Sequence, residues 1–79
     1  MRTLKEALPG EALKVIRVHG TGALRRRLLD LGITKGSRID VLKTAPLGDP
    51  VEVTIRGYEL SLRKSEGELV EVEPLSIAD

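Results

Sequence analysis

The sequence predicts a mainly β fold, a small five-stranded barrel with one short helix between the first two strands. Three observations carry this. Residues 51–56 and 58–63 alternate apolar and polar side chains on either side of Gly57, the pattern of a β-hairpin. Leu24, Leu28 and Leu31 recur at helical spacing and Gly32 follows them, the pattern of a short amphipathic helix with a left-handed cap. Several short strands in a 79-residue chain must hide their sheet edges, and closure into a barrel does so.

The elements follow in order. Residues 3–8 suit one helical turn, which Pro9-Gly10 breaks. Residues 12–18 are rich in β-branched side chains and form the first strand. Gly20-Thr21-Gly22 then punctuates, with Thr21 as the expected N-cap of a helix over 23–31. Within that helix Arg25, Arg26 and Asp30 lie off the apolar stripe, and Arg26 stands one turn before Asp30. Leu29 falls roughly 100° round from Leu28 at the helical period, which puts it under a loop or in solvent. Residues 37–44 alternate weakly, with Ile39 and Val41 on one face. Ala45-Pro46-Leu47-Gly48-Asp49-Pro50 is a loop by its turn residues. In the hairpin, Val51, Val53, Ile55, Tyr58, Leu60 and Leu62 point inward. Lys64–Gly67 is a short turn, Val70 and Val72 anchor the last strand, and Pro74 ends it.

Composition bounds the rest. With 41% hydrophobic and 32% charged residues, residues 1–79 read as a single globular domain. The core must be thin and aliphatic, because Tyr58 is the only aromatic residue. Cysteine is absent, so neither a disulfide framework nor a thiolate metal site can form, which fits a cytoplasmic setting. The N-terminus has no apolar run of signal-peptide or membrane-span length. No direct membrane insertion is expected, and any membrane connection goes through a partner. Net charge is +1, unevenly spread. Lys14, Arg17, Arg25, Arg26, Arg27, Lys35 and Arg38 face one acid, Asp30, between residues 14 and 38, whereas residues 66–79 hold five acids and no base.

Function classes narrow accordingly. His19 is the only histidine and no nucleophile-elbow sequence flanks a serine, so no enzyme and no catalytic residue is expected. One histidine without cysteine cannot supply the usual zinc ligands. Glu66, Glu68, Glu71 and Glu73 could gather a cation, but a solvated strand face explains them as well, so no metal site and no cofactor is assigned. The glycines around Thr21 lack the phosphate-loop pattern. Arg25-Arg26-Arg27 can pair with an acidic partner or with phosphates, or simply form a solvated helix face. A net charge of +1 and a single tyrosine supply neither the basic excess nor the stacking platform of a nucleic-acid binder. Pro46-Leu47-Gly48-Asp49-Pro50 fixes a rigid loop. Leu47 either folds over a barrel end, with Asp49 on nearby amides, or stands out as an apolar contact. The candidate partner-binding residues are therefore Arg25, Arg26, Arg27, Leu29, Pro46, Leu47 and Asp49.

The order of these motifs resembles the FeoA family. The string Arg26-Arg27-Leu28-Leu29-Asp30-Leu31-Gly32-Ile33-Thr34-Lys35-Gly36 is similar to that family's helix-to-strand signature. Pro46–Pro50 with Val51–Arg56 and Gly57 resembles its central loop and hairpin. Leu62-Arg63-Lys64-Ser65-Glu66 resembles its last turn, and the opening Leu4…Leu8-Pro9-Gly10-Glu11 fits. Lys35 departs from it, since family members often carry proline there, which implies a looser turn before Gly36. The resemblance covers nearly the whole chain. It implies an SH3-like barrel and a cytosolic accessory role in prokaryotic ferrous iron transport, beside the membrane transporter FeoB with its GTP-binding domain. FeoA-like domains also end metal-dependent repressors, but with no helical DNA-binding or dimerisation region in this sequence the stand-alone form is expected. The implied localisation is cytoplasmic, peripheral at the inner membrane face through the partner. The groove by which SH3 domains grip proline-rich peptides is lined by aromatics and cannot be built from one tyrosine. A nucleic-acid-binding small β-barrel and a metal-responsive regulatory domain are the alternatives, and self-association stays open.

Overall fold

Strand and helix boundaries follow the apolar pattern. The computed structural model describes residues 1–75. A single 3₁₀ turn, Leu4–Glu6, precedes β1 (Ala12–Val18), α1 (Gly22–Asp30), β2 (Arg38–Thr44), β3 (Val51–Ile55), β4 (Tyr58–Leu62), α2 (Lys64–Gly67) and β5 (Val70–Pro74). All strand pairings are antiparallel, in the order β4-β3-β2-β1-β5. The sheet curls around a core drawn from every strand: Leu13 and Val15, Ile39 and Val41, Val51, Val53 and Ile55, Leu62, and Val70 and Val72. Leu28 and Ile33 plug it from the helical side, and Leu4 and Ala7 from the N-terminal turn. The core is wholly aliphatic, as the composition requires.

Local chemistry explains the bends. Register shifts at Ile16 on β1 and at Leu42 on β2 mark bulges, which sharpen twist and let a short sheet curl. The β3–β4 hairpin turns through Arg56 (φ +51°) and Gly57 (φ +85°), both left-handed as a tight two-residue turn demands. The outer edge of β5 is not bare. Val72 N–H donates to the Arg2 carbonyl at 2.9 Å, and Thr3 bridges Glu71.

Two glutamates hold that N-terminal strap in shape. Thr3 N–H donates to Glu6 Oε1 at 2.9 Å, and this bond draws the Glu6 carboxyl below its ordinary pKa. Leu8 N–H donates to Glu11 Oε1 at 2.7 Å, and Arg2 pairs with the same oxygen. The Leu8 amide first, and then Arg2, lower the Glu11 pKa.

Three local expectations need correction. Leu24, expected on the buried stripe, is 37% exposed, because α1 starts beyond the edge of the core and only its second half lies on it. Tyr58, expected inward, is half-exposed at the start of β4 and donates its hydroxyl to the Leu31 carbonyl at 2.6 Å. Lys64–Gly67, expected as a turn, closes one turn of α-helix, with Gly67 N–H donating to the Arg63 carbonyl at 2.9 Å.

Candidate partner-binding surface

The orientation of α1 is fixed at its C-terminus. Gly32, at φ +95°, lets its own N–H donate to the Leu29 carbonyl (3.0 Å) and the Ile33 N–H to the Leu28 carbonyl (3.1 Å). This is a Schellman cap, and Leu28 and Ile33, both wholly buried, make its apolar contact. Thr21 occupies the N-cap, but its side chain makes no capping hydrogen bond.

With Leu28 turned inward, the three arginines are all exposed yet differ in what they touch. Arg25 Nε donates to the Val18 carbonyl at 3.3 Å, tying the helix to the end of β1. Arg27 Nη1 donates to Glu66 Oε2. Arg26 has no hydrogen-bond or ion-pair partner among the described residues, Asp30 one turn on included. At 3.6 residues per turn Arg25 and Arg27 stand roughly 200° apart, so the two anchored arginines serve opposite flanks of α1. Leu29 is half-buried against the core, on the Arg25 flank.

Glu66 is the residue that sequence reasoning missed. It reads as one acid in an acidic tail, yet it is 4% exposed. Its Oε1 accepts the Arg63 N–H at 2.7 Å at the start of α2, and its Oε2 accepts from Arg27. A carboxylate buried this deeply needs both bonds to offset its desolvation. The available sequence signal is its position three residues after Arg63, just ahead of an apolar pair, as in a helix-capping glutamate.

The loop after β2 lies on the Arg27 flank. Gly48 N–H donates to the Ala45 carbonyl at 2.7 Å, and Ala45 N–H to the Pro50 carbonyl at 3.0 Å, which closes the loop on itself. Asp49 Oδ1 accepts the Lys64 N–H at 3.0 Å, binding the loop to α2. The reading in which Leu47 folds over a barrel end holds only for Asp49. Asp49 does bond a backbone amide, but Leu47 does not fold back, being 91% exposed, with Pro46 exposed beside it. An open cleft of about 370 Å³, lined by Arg27, Pro50, Ser61, Arg63 and Glu66, runs between loop and helix. The structure therefore joins Arg27 and the 45–50 loop that carries Pro46, Leu47 and Asp49 through α2, leaves Arg26 midway between the two flanks as an unpaired cation, and sets Arg25 and Leu29 apart on the other flank of α1.

The acids proposed as cation collectors are dispersed. Glu66 meets Arg27, Glu68 meets Lys5 at 3.1 Å, and Glu71 Oε1 lies 2.8 Å from His19 Nε2. Among the described residues no group of three or more histidines or carboxylates converges as a metal ligand set. Nor is any helix there long and apolar enough to cross a membrane.

Comparison with known proteins is specific. A FeoA domain matches residues 2–74. The Fe(2+) transport protein A/Fe(2+) transporter FeoB fusion protein of Porphyromonas gingivalis is 40% identical over 73 residues, which is 92% of this chain but 9% of that protein. The chain thus spans a small part of that relative. A FeoA-like protein from Clostridium acetobutylicum superposes with a TM-score of 0.86 at 39% identity, over 98% of this chain and 90% of that one. The FeoA of Stenotrophomonas maltophilia, solved with zinc and described as a prokaryotic SH3 domain protein, gives a TM-score of 0.74 at 32% identity, over 92% and 91%. The curled five-stranded sheet is accordingly SH3-like, as the motif order implied. A domain match over nearly the full length, borne by one continuous fold, leaves a single assignment: the chain belongs to the FeoA family.

Proposed function

We propose that this protein is a non-enzymatic accessory of ferrous iron transport that docks on the cytosolic side of a FeoB-type transporter and tunes its activity. The observation that carries the reading is the Porphyromonas gingivalis relative, in which a segment 40% identical to this chain is covalently joined to a FeoB transporter. Covalent fusion raises the effective concentration of one module at the other, a gain that matters when the two work in contact. The surface formed by the 45–50 loop, α2 and the end of α1 is the proposed contact. It offers one aliphatic anchor, Leu47, on a loop tied down through Asp49, and the solvent face of α1 beside it adds one unpaired cation, Arg26. An apolar anchor ringed by polar groups is the form that binding energy takes at protein interfaces.

The test is a binding titration of this chain against the cytosolic domain of FeoB from the same organism, with Leu47→Asp and Arg26→Glu alongside. Saturable binding that either variant weakens, with the variant still folded, supports the reading. If wild-type protein shows no binding to that domain, and none to the whole transporter in detergent, the reading is wrong.

A further inference from the structure

On the opposite flank of α1 lies a second groove, lined by Ile16, Arg17, Val18, Arg25, Leu29 and Lys35, with a volume of about 270 Å³. Its composition is unusual for so small a chain. Three cations line it and no acid does. None of the three forms an ion pair among the described residues. Glu71 sits opposite Arg17 in the β1–β5 register, but its carboxylate is turned to His19 Nε2 at 2.8 Å. Arg25 is held in place by its bond to the Val18 carbonyl. Between the cations lies apolar surface from Ile16, Val18 and Leu29, of which Ile16 and Leu29 are only half-buried.

The bulge at Ile16 gives this groove its shape. In a regular strand Ile16 and Arg17 would face opposite sides of the sheet. The register shift between Val15 and Arg17 breaks that alternation, and both line the groove. A bulge re-aims side chains in this way.

We infer that this groove binds an acidic segment of a protein partner, one that places an aliphatic side chain on Ile16 and Leu29 and carboxylates on Arg17, Arg25 and Lys35. Charge complementarity sets the sign, and the planar guanidinium fork favours carboxylates held in fixed geometry. The apolar floor sets the class. A phosphate backbone makes no use of it, and the stacking platform that single-stranded nucleic acid wants is absent, since the one aromatic side chain does not line the groove. An open groove of about 270 Å³ suits a few side chains of one segment, not a bilayer surface. The inference rests on the reading of this chain as a docking protein, but it concerns a different face from the Leu47 surface.

The experiment uses the full chain, labelled with nitrogen-15 and titrated with a synthetic peptide of interspersed glutamate and leucine. Expected are amide shift changes concentrated at Ile16–Val18, Arg25, Leu29 and Lys35, with affinity falling as salt rises. The double variant R17E/K35E should bind at least about tenfold more weakly while keeping its native spectrum elsewhere. Shift changes centred on Leu47 or on the β3–β4 hairpin would overturn the inference. So would undiminished binding by R17E/K35E, or no binding of the peptide. Phosphatidylglycerol vesicles and poly(U) RNA are run as competitors. If either displaces the peptide from the same amides at equal charge concentration, the groove recognises anions in general and the protein-segment assignment fails. The transporter titration separates the two proposals. Transporter binding without peptide binding sinks the groove alone, whereas peptide binding without transporter binding sinks the functional reading alone.

Discussion

Arg25, Arg26 and Arg27 are chemically identical and adjacent, yet their worth to the fold differs. Arg27 offsets the charge of Glu66, which is 4% exposed, while Arg26 makes no hydrogen bond or ion pair among the described residues. Arg26→Ala should therefore leave stability within about 0.5 kcal/mol. Arg27→Ala should cost more, on the order of 1–2 kcal/mol, the usual figure for breaking a buried pair discounted because the Arg27 side chain is 58% exposed. A urea series on the two variants checks the ranking, and equal midpoints would refute it. The sequence could not rank them, because the deciding carboxylate arrives from α2, 39 residues on. Gly32 is the opposite case. Its place after the last apolar helix position identifies the cap from sequence alone. At φ +95°, and with a Cβ there lying 2.9 Å from the Arg56 side chain, Gly32→Ala should lose roughly 1–3 kcal/mol by the same assay.

Strands were readable where alternation was strict. β3 and β4 fall where residues 51–56 and 58–63 predict them, because one face of each meets the core and the other does not. β1 matches its predicted span, although its bulge at Ile16 was invisible: a bulge is set by pairing with β5, far along the chain. Periodicity placed α1, but which turns of it reach the core depends on where the sheet ends, and Leu24 overshoots it. Leu28 does not. Leu28→Ala should cost about 2–5 kcal/mol in denaturant unfolding, since the site is wholly buried and a core this small cannot collapse around the gap. The N-terminal strap carries a pH prediction. Glu6 and Glu11 have folded pKa values below their ordinary ones, so they stabilise the strap above the ordinary glutamate range. That contribution is lost as pH falls through their lowered folded values. Exchange of the Val72 amide, corrected for its intrinsic rate, should accelerate over that fall and do so less in Glu11→Gln. A pH-independent opening equilibrium would contradict this.

The whole molecule is an aliphatic barrel with its charge unevenly spread along the chain. Residues 14–38 supply the cations of α1 and the groove beside it, and three of the four described acids after residue 65 are paired off, Glu68 with Lys5, Glu71 with His19 and Glu66 with Arg27. The sequence showed this imbalance but not its geometry, which follows from β5 lying against β1. The loop around Leu47 was legible as rigid, through its prolines and glycine. Whether Leu47 pointed in or out was not, because that turns on Asp49 reaching the Lys64 amide across the fold. Since Leu47 is 91% exposed, Leu47→Asp should keep the melting temperature of the native protein, so that any loss of transporter binding reads the contact and not the fold. A fall of many degrees in that variant would mean the side chain is used within the barrel.

The hydroxyl bond from Tyr58 to the Leu31 carbonyl has an optical consequence. Tyr58 is the only aromatic side chain in 79 residues, so all intrinsic near-ultraviolet absorption and emission of this chain comes from that one position. A carbonyl acceptor on the phenol alters tyrosine emission. Fluorescence will therefore watch the end of α1 lift from the β3–β4 hairpin, while the packing of the valines and leucines goes unseen. A melt followed by emission and one followed by far-ultraviolet dichroism will coincide only if the latch and the barrel let go together.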